Sequence, residues 1–467
     1  MKRNVKKLTS LTLCMAMLGS AAITAGAQEP SGYQVNEELA AAENTTLNVY
    51  GAGVFTTTGA DGAIDLISGR EIPGYNELIA RWNELYPNCE VVIEAIPWDN
   101  WQANITTACL GGEVDVIAHG ATMIDLTEDL APYIEAEPGY SDQIYATASR
   151  ISTDDMSKYK VSGMCIRVTP MVVWLDKEKF EHFGVELPAS DWVYDDMLAL
   201  AQQLTGTDPV TGEESYGIQY YDAGGQNSWA NYMLWANALG VDVFQYASSI
   251  KDTVVDYTSE KSVQAFQMVH DLAQYASPEV REGVGVTKVF DGTNNWAMVI
   301  SESLISEYQK ILAAGMEDRY ICMPLPFATE GRYAGTPTPY VGENNLAIYK
   351  DSDKKDWAWE FIKFMTTDEV ALQWITDAGN IPNNVNSLNY VKDMFNDQIN
   401  TTLNTVLSNM PENFAVATNY VFNNVSFGPT QTNMVTAVDN VINEYMTAEE
   451  AAAFMQNTID EYLASAE

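Results

Sequence analysis

Two hydrophobic periods alternate along one stretch of this chain, and that alternation constrains the fold more than any other feature. Thr46-Leu-Asn-Val-Tyr50 reads as a strand running into the glycine turn Gly51-Ala-Gly53. Tyr75, Leu78, Ile79, Trp82 and Leu85 then fall at i, i+3, i+4, i+7 and i+10, the stripe of an amphipathic helix. Pro87-Asn88 stops that helix, and Cys89 to Ile96 is the next strand. Pro97 to Trp101 turns into a short helix ending near Leu110, and Gly111-Gly112 breaks it. Val114 to Ile117 is a third strand, closed by the turn His119-Gly120. Strands joined by helical crossovers at this spacing predict a parallel α/β sheet covered by its own helices.

The same pattern resumes downstream. Val172–Leu175, Tyr216–Tyr221, Asn295–Ile300 and Leu346–Tyr349 read as strands. Between them lie helical patterns at Asp191–Leu204 (capped by Ser190), Trp229–Leu239, Val263–Tyr275, Ile305–Ala314, Asp356–Met365 and Asp368–Ala378, with a helical tail from Thr430. No period of 20–50 residues recurs, which excludes solenoids and propellers. Single cores rarely exceed roughly 250–300 residues, so a chain of 467 predicts more than one core-bearing unit.

Residues 1–27 read as a removable secretory leader: a basic start (Lys2, Arg3, Lys6, Lys7), an apolar run from Leu8 to Thr24, and the small-x-small site Ala25-Gly26-Ala27. Leu13 before Cys14 and the short apolar run upstream argue against a lipid anchor on Cys14. Residues 28–45, polar and without hydrophobic period, read as a flexible tether. Without the leader's four bases, 20 Lys and Arg face 64 Asp and Glu. Such an excess repels phosphate backbones and anionic lipid, which argues against nucleic-acid and membrane-surface partners. With 46% apolar residues the chain is still no disordered acidic tail. Cys89, Cys109, Cys165 and Cys322 form no C-x-x-C pair and read as buried free thiols rather than disulfides. With only three histidines, no zinc-type ligand spacing appears, and no cofactor is expected.

The order of the landmarks carries further information. The helix ending Leu85-Tyr-Pro87 is followed by Val91-Val-Ile93, by Trp98, by Gly111-Gly-Glu-Val-Asp-Val116 and by Asp125-Leu-Thr-Glu-Asp-Leu130. Then come Val172 to Phe180 with Phe183-Gly184, Pro188 to Met197 with Trp192, and Phe290 to Met298. Gly342 to Ile348, Trp357-Ala-Trp-Glu-Phe-Ile-Lys-Phe364 and Gly379-Asn-Ile-Pro382 close the set. In this order, from Leu47 to about Asn386, the chain resembles the extracellular solute-binding proteins of bacterial ABC importers, in the family that mostly captures carbohydrates. Trp174, Leu175 and Asp176 depart from the family's Tyr-Asn-Lys pattern, and the tail beyond Asn386 matches loosely.

The resemblance implies a two-lobed periplasmic-binding-protein-like α/β fold with a cleft at the hinge. One lobe would comprise residues 46–168 and 340–381, the other 169–339 and 382–467. It further implies a monomer that closes on a sugar and delivers it to a membrane permease. A sugar needs flat rings against its C–H face and fixed donors and acceptors around its hydroxyls. Open α/β sheets bind ligands in the loops that follow strands. By that rule the candidates are Phe55, Trp98, Trp101 and His119 on the first lobe, and Asp222, Asn227, Trp229 and Trp296 on the second. Arg167, Tyr340 and Asn344 fall near an expected crossover. Trp82, Trp235, Trp357 and Trp359 follow helical periodicity and read as core. Two rival functions stand beside this one: the same fold carrying a polyamine or peptide, and a secreted glycosidase. The glycosidase needs two paired carboxylates, which an acidic chain always offers on paper, and no nucleophile-elbow, phosphate-loop or His-Glu-x-x-His motif supports an enzyme.

Overall fold

The computed structural model describes residues 32–65, 69–152, 158–220, 228–245, 247, 249, 252–281, 290–339, 341–410 and 430–465. The first run comprises α1 (Glu37–Ala40), β1 (Thr45–Gly51), α2 (Val54–Thr58), α3 (Tyr75–Leu85), β2 (Cys89–Ala95), α4 (Trp101–Gly111), β3 (Val116–Ala118), β4 (Thr147–Ile151) and the long β5 (Tyr159–Pro170). Met171 alone separates β5 from β6 (Val172–Asp176), which opens the second run. That run continues through α5 (Lys177–Phe183), α6 (Tyr194–Gln203), β7 (Gly206–Thr207), β8 (Glu214–Gln219), α7 (Ala230–Ala238), α8 (Glu260–Ala273), β9 (Trp296–Ser301), α9 (Leu304–Ala314) and β10 (Tyr320–Pro324). The chain then passes through β11 (Val341–Ile348), α10 (Lys355–Thr367), α11 (Glu369–Asp377), β12 (Ile381–Pro382), α12 (Asp397–Ser408), α13 (Thr430–Ile442) and α14 (Ala448–Ser465).

Two large sheets organise the lobes. The first runs β12–β5–β11–β3–β1–β2, with β4 against β5, and the second β10–β6–β9–β8–β7. β1 is parallel to β2 and β3, and β8 is parallel to β9, as the βαβ spacing predicts. One face of the first sheet buries Leu47, Val49, Val91 and Ile93 against α3, α10 and α11. There Trp82 packs edge-on to Phe361 and Phe364, each with centroids 5.4 Å away, so its helical periodicity did mark core. The second sheet packs α6, α8, α13 and α14 on one face and α9 and α12 on the other. β10 is an edge strand, and α12 covers it: Thr402 Oγ1 donates to Cys322 O at 2.7 Å, and Cys322 N–H to Gln398 Oε1 at 3.0 Å.

The register fixes how the sheets face one another. β11 is antiparallel to both β3 and β5, so those two run the same way. Leu346 lies opposite Ala118 at the end of β3, whereas Val341 lies opposite Pro170. β5 and β11 therefore continue as a ribbon five residues past β3, roughly 16 Å at ~3.3 Å per residue. Val172, two residues beyond this ribbon, pairs with Ser301 at the carboxyl end of β9 and with Pro324 at the end of β10. The carboxyl ends of the parallel strands in both sheets are thus turned toward the same crossover.

Three departures from the sequence reading have physical causes. Helix α6 begins at Tyr194 instead of Asp191, because the Val193 N–H donates to Asp196 Oδ2 at 2.9 Å, while Trp192 is pinned by its Nε1–H to Pro324 O at 3.0 Å. The described part of the expected tether is docked. Tyr33 N–H donates to Thr367 O at 3.1 Å, its hydroxyl donates to Glu360 Oε1 at 2.5 Å, and Asn36 caps α1 through its side chain. Burial and the Glu360 carboxylate push the Tyr33 hydroxyl far above its ordinary pKa, so it stays a donor. Third, β4, β5, β10 and α12 lie in stretches where no periodic signal is read. The four thiols are buried and free.

Candidate functional site

The carboxyl edge of the first sheet is assembled from three loops. β1 ends at Gly51 (φ 144°), and the chain turns through Gly53 (φ 125°) into α2. A Cβ on Gly51 would lie 2.2 Å from Ala118 O, and one on Gly53 2.8 Å from Asn344 Oδ1, so only glycine lets these loops approach. After β2, the Ile96 N–H donates to Gly51 O at 3.0 Å, and Thr56 Oγ1 donates to Ile96 O at 2.7 Å. Trp98 follows, 43% exposed, and Asn100 takes a left-handed conformation (φ 54°) before Trp101 opens α4. After β3, His119 is also left-handed (φ 62°), and its N–H donates to Asn345 O at 2.7 Å.

These loops bring three predicted residues together. Trp98 and His119 have centroids 5.0 Å apart at 83°, Trp101 and His119 5.1 Å apart at 66°, and the two indoles 6.1 Å apart at 83°. Among the described residues, three non-glycine residues have positive φ; one of them, His119, belongs to this trio, and another, Asn100, directly precedes Trp101. Left-handed backbone is unfavourable for residues bearing a Cβ and collects where the surroundings over-determine it, commonly at functional sites. Asn344 lies opposite Arg167 in the β11–β5 ribbon, and Arg167 Nη1–H donates to Asn380 Oδ1 at 2.7 Å. Aromatic faces, an imidazole, an amide and a guanidinium therefore share one edge, beside the crossover.

The remaining candidates are placed differently. Phe55 is a core residue, 1% exposed, packed between Tyr75 and Trp374 at 6.1 and 6.2 Å; its helix turns the ring inward to cover the first sheet. Trp296 opens β9 opposite Tyr216, at the amino end of the second sheet, and is buried against Phe290 (5.3 Å) and Tyr320 (5.8 Å). A site at the carboxyl ends cannot use it. Trp229 sits at the N-cap of α7, downstream of β8's carboxyl end, and is 6% exposed; Asn231 Nδ2–H donates to Ser228 O at 3.0 Å and fixes that turn. Asp222, Asn227 and Tyr340 lie outside the described residues. Sequence reasoning missed Asn345, whose Oδ1 accepts the Ala121 N–H at 2.8 Å. The signal was available, since two adjacent Asn inside a strand run against strand propensity.

Among the described residues no helix is long and apolar enough to cross a membrane, and no group of His, Cys, Asp and Glu could hold a metal ion. A search of curated proteins finds no match. Solved structures of the same architecture do match. One is an ABC substrate-binding protein from Listeria monocytogenes in complex with cycloalternan, 18% identical, covering 90% of this chain and 98% of that one, with a TM-score of 0.60. The sugar-binding protein MalE from Xanthomonas citri is 15% identical over 90% of this chain and 97% of its own, with a TM-score of 0.66. A cyclic α-maltosyl-1,6-maltose binding protein from Arthrobacter globiformis is 13% identical over 90% and 99%, with a TM-score of 0.62. At these identities the likeness is one of fold, the two-lobed fold expected above. The family model for bacterial extracellular solute-binding proteins matches residues 68–372, well over half of the chain, and the chain belongs to that family.

Proposed function

We propose that this protein captures a sugar, and an oligosaccharide rather than a monosaccharide, between its lobes and delivers it as a monomer to the permease of an ABC importer. The observation that carries the reading is the half-exposed Trp98–Trp101–His119 trio on the carboxyl edge beside the crossover. Indole faces suit the C–H face of a pyranose, and two of them 6.1 Å apart suit more than one sugar ring. Arg167 and Asn344 supply a donor set and an amide for hydroxyls on the same edge. Asp222, Asn227 and Trp229 are proposed as the opposite wall. Residues 46–168 with 340–381 and residues 169–339 with 382–467 act as the two lobes, and hinge closure through β5, β11 and the chain after β12 makes capture and hand-over one event. The protein acts outside the cytoplasm, without a lipid on Cys14. The acidic surface would suit a polyamine, but the trio contains no carboxylate, which favours the sugar.

Thermal unfolding of the mature protein against mono- and oligosaccharides, with spermidine and peptides beside them, tests this. A ligand at 100 times its Kd adds about 2.7 kcal/mol of stability, readily seen as a shift in Tm. The expected result is a shift with one glycan class, the glycan being recovered intact. A shift only with spermidine or peptide overturns the cargo, and a cleaved glycan overturns the binding reading.

A further inference from the structure

One residue of the crossover strand bonds twice to the turn that carries His119. The register between β11 and β5 slips between Asn344 and Asn345, a bulge of the kind that re-aims side chains beside functional sites. Asn344 Oδ1 reaches the Gly53 turn, and Asn345 takes the His119 turn. Asn345 grips that turn twice: its carbonyl oxygen accepts the His119 N–H at 2.7 Å and its Oδ1 accepts the Ala121 N–H at 2.8 Å. The residue is 1% exposed. Gly120, between the two bonded groups, presses so closely on β3 that a Cβ would lie 2.6 Å from Ile117 Cγ2. A left-handed residue bearing a Cβ persists only where its surroundings leave no alternative, and this double grip supplies that restraint.

We infer that Asn345 is the positioning residue of the aromatic platform: its side-chain oxygen holds the 119–121 turn, and with it the left-handed backbone of His119, and thereby sets the imidazole against Trp98 and Trp101. The importance of the platform rests on the sugar reading above, but the test uses no sugar, so the two can fail separately. The chain has three histidines, His119, His182 and His270, and the latter two lie on α5 and α8 of the other lobe. Their imidazole C–H signals can be assigned by NMR with His182→Gln and His270→Gln. Two indoles about 5 Å away displace the His119 signals by their ring currents. In Asn345→Leu, which keeps the heavy-atom branching and removes the acceptor, the His119 signals are expected to move toward those of a free imidazole while His182 and His270 stay in place. Asn345→Asp keeps the oxygen and is expected to retain most of the displacement. If Asn345→Leu moves all three histidines, the chain has unfolded and Asn345→Ala takes its place with the same expectation. An unmoved His119 in the folded Leu or Ala variant overturns the inference, as does equal loss in the Asp variant.

Discussion

Two aromatic clusters in this molecule share residue types and geometry yet lie at opposite ends of their sheets. Trp98, Trp101 and His119 meet edge to face at 66–83°, and so do Phe290 with Trp296 (72°), Tyr320 (78°) and Trp174 (71°). Trp98 is 43% exposed, whereas Trp296 is 2% and Trp174 fully buried. The first cluster hangs on loops after β2 and β3, two of whose residues are forced left-handed; the second sits at the amino end of β9 on relaxed strand backbone. Edge-to-face geometry therefore does not by itself mark a tryptophan as a candidate for ligand contact. The end of the sheet that carries it and the backbone that holds it decide.

The largest expected effect breaks the comparison from the core side. Trp296→Ala should destabilise the protein by about 3–5 kcal/mol, the usual cost of removing a buried large aromatic, and leave glycan preference unchanged. Chemical denaturation of the variant measures it. Trp98→Ala should do the reverse. Its stability should stay within about 0.5 kcal/mol of the parent, as for an exposed position, while affinity for the stabilising glycan falls roughly tenfold, about 1.4 kcal/mol. Calorimetric titration beside a melting curve separates the two, and a large stability loss without an affinity loss would place Trp98 with the core.

A smaller effect tests the docked N-terminal segment, a third aromatic contact. Tyr33 packs edge-on to Phe364 at 5.9 Å and donates to Glu360, which is 1% exposed. Tyr86 also donates to that carboxylate, at 2.8 Å, and Lys363 pairs with it at 2.9 Å. Tyr33→Phe keeps the ring and removes one of several partners, so a loss of about 1 kcal/mol is expected in the same denaturation experiment. No loss would mean that the segment is held by its backbone and ring alone.

Much of the fold was legible because periodicity and punctuation agreed. The stripe Tyr75 to Leu85 gave α3, the glycines at 111 and 112 ended α4, and the apolar runs at 172 and 296 gave β6 and β9. β5 was not legible, since Tyr159-Lys-Val-Ser-Gly-Met-Cys-Ile-Arg-Val-Thr-Pro170 is buried in part by the opposite lobe and so lacks a clean alternation. The tether was misread because its anchors, Glu360 and Tyr86, lie hundreds or tens of residues away, beyond any local pattern. At the candidate site, the rule that ligand loops follow strands picked out Trp98, Trp101 and His119, which the structure brings together. It misplaced Phe55, whose helix turns the ring inward, and Trp296, which opens its strand and so lies at the end away from the crossover. Asn345 needed the register of β11, which no single stretch of sequence contains.

The smallest expected effect concerns rigidity, and two buried thiols report it. Cys109 lies on the inner face of α4, the helix that Trp101 opens, and Ile105 is its other buried residue. Cys322 lies opposite Trp174 in β10, behind the Trp296 cluster and under α12. Burial pushes Cys109 up to about 11 and Cys322 well above its ordinary value. Only the thiolate reacts, and burial holds both thiols protonated, so each waits for an opening that restores its ordinary pKa. Reaction with a thiol reagent at fixed pH then measures opening. The thin cover of α4 should let Cys109 react through local opening, with little denaturant dependence, while Cys322 waits for global unfolding and shows the full dependence. Equal rates with equal denaturant dependence would mean that the platform helix is as rigid as the core. The contrast between the clusters would then rest on exposure and backbone alone, with no difference in local stability.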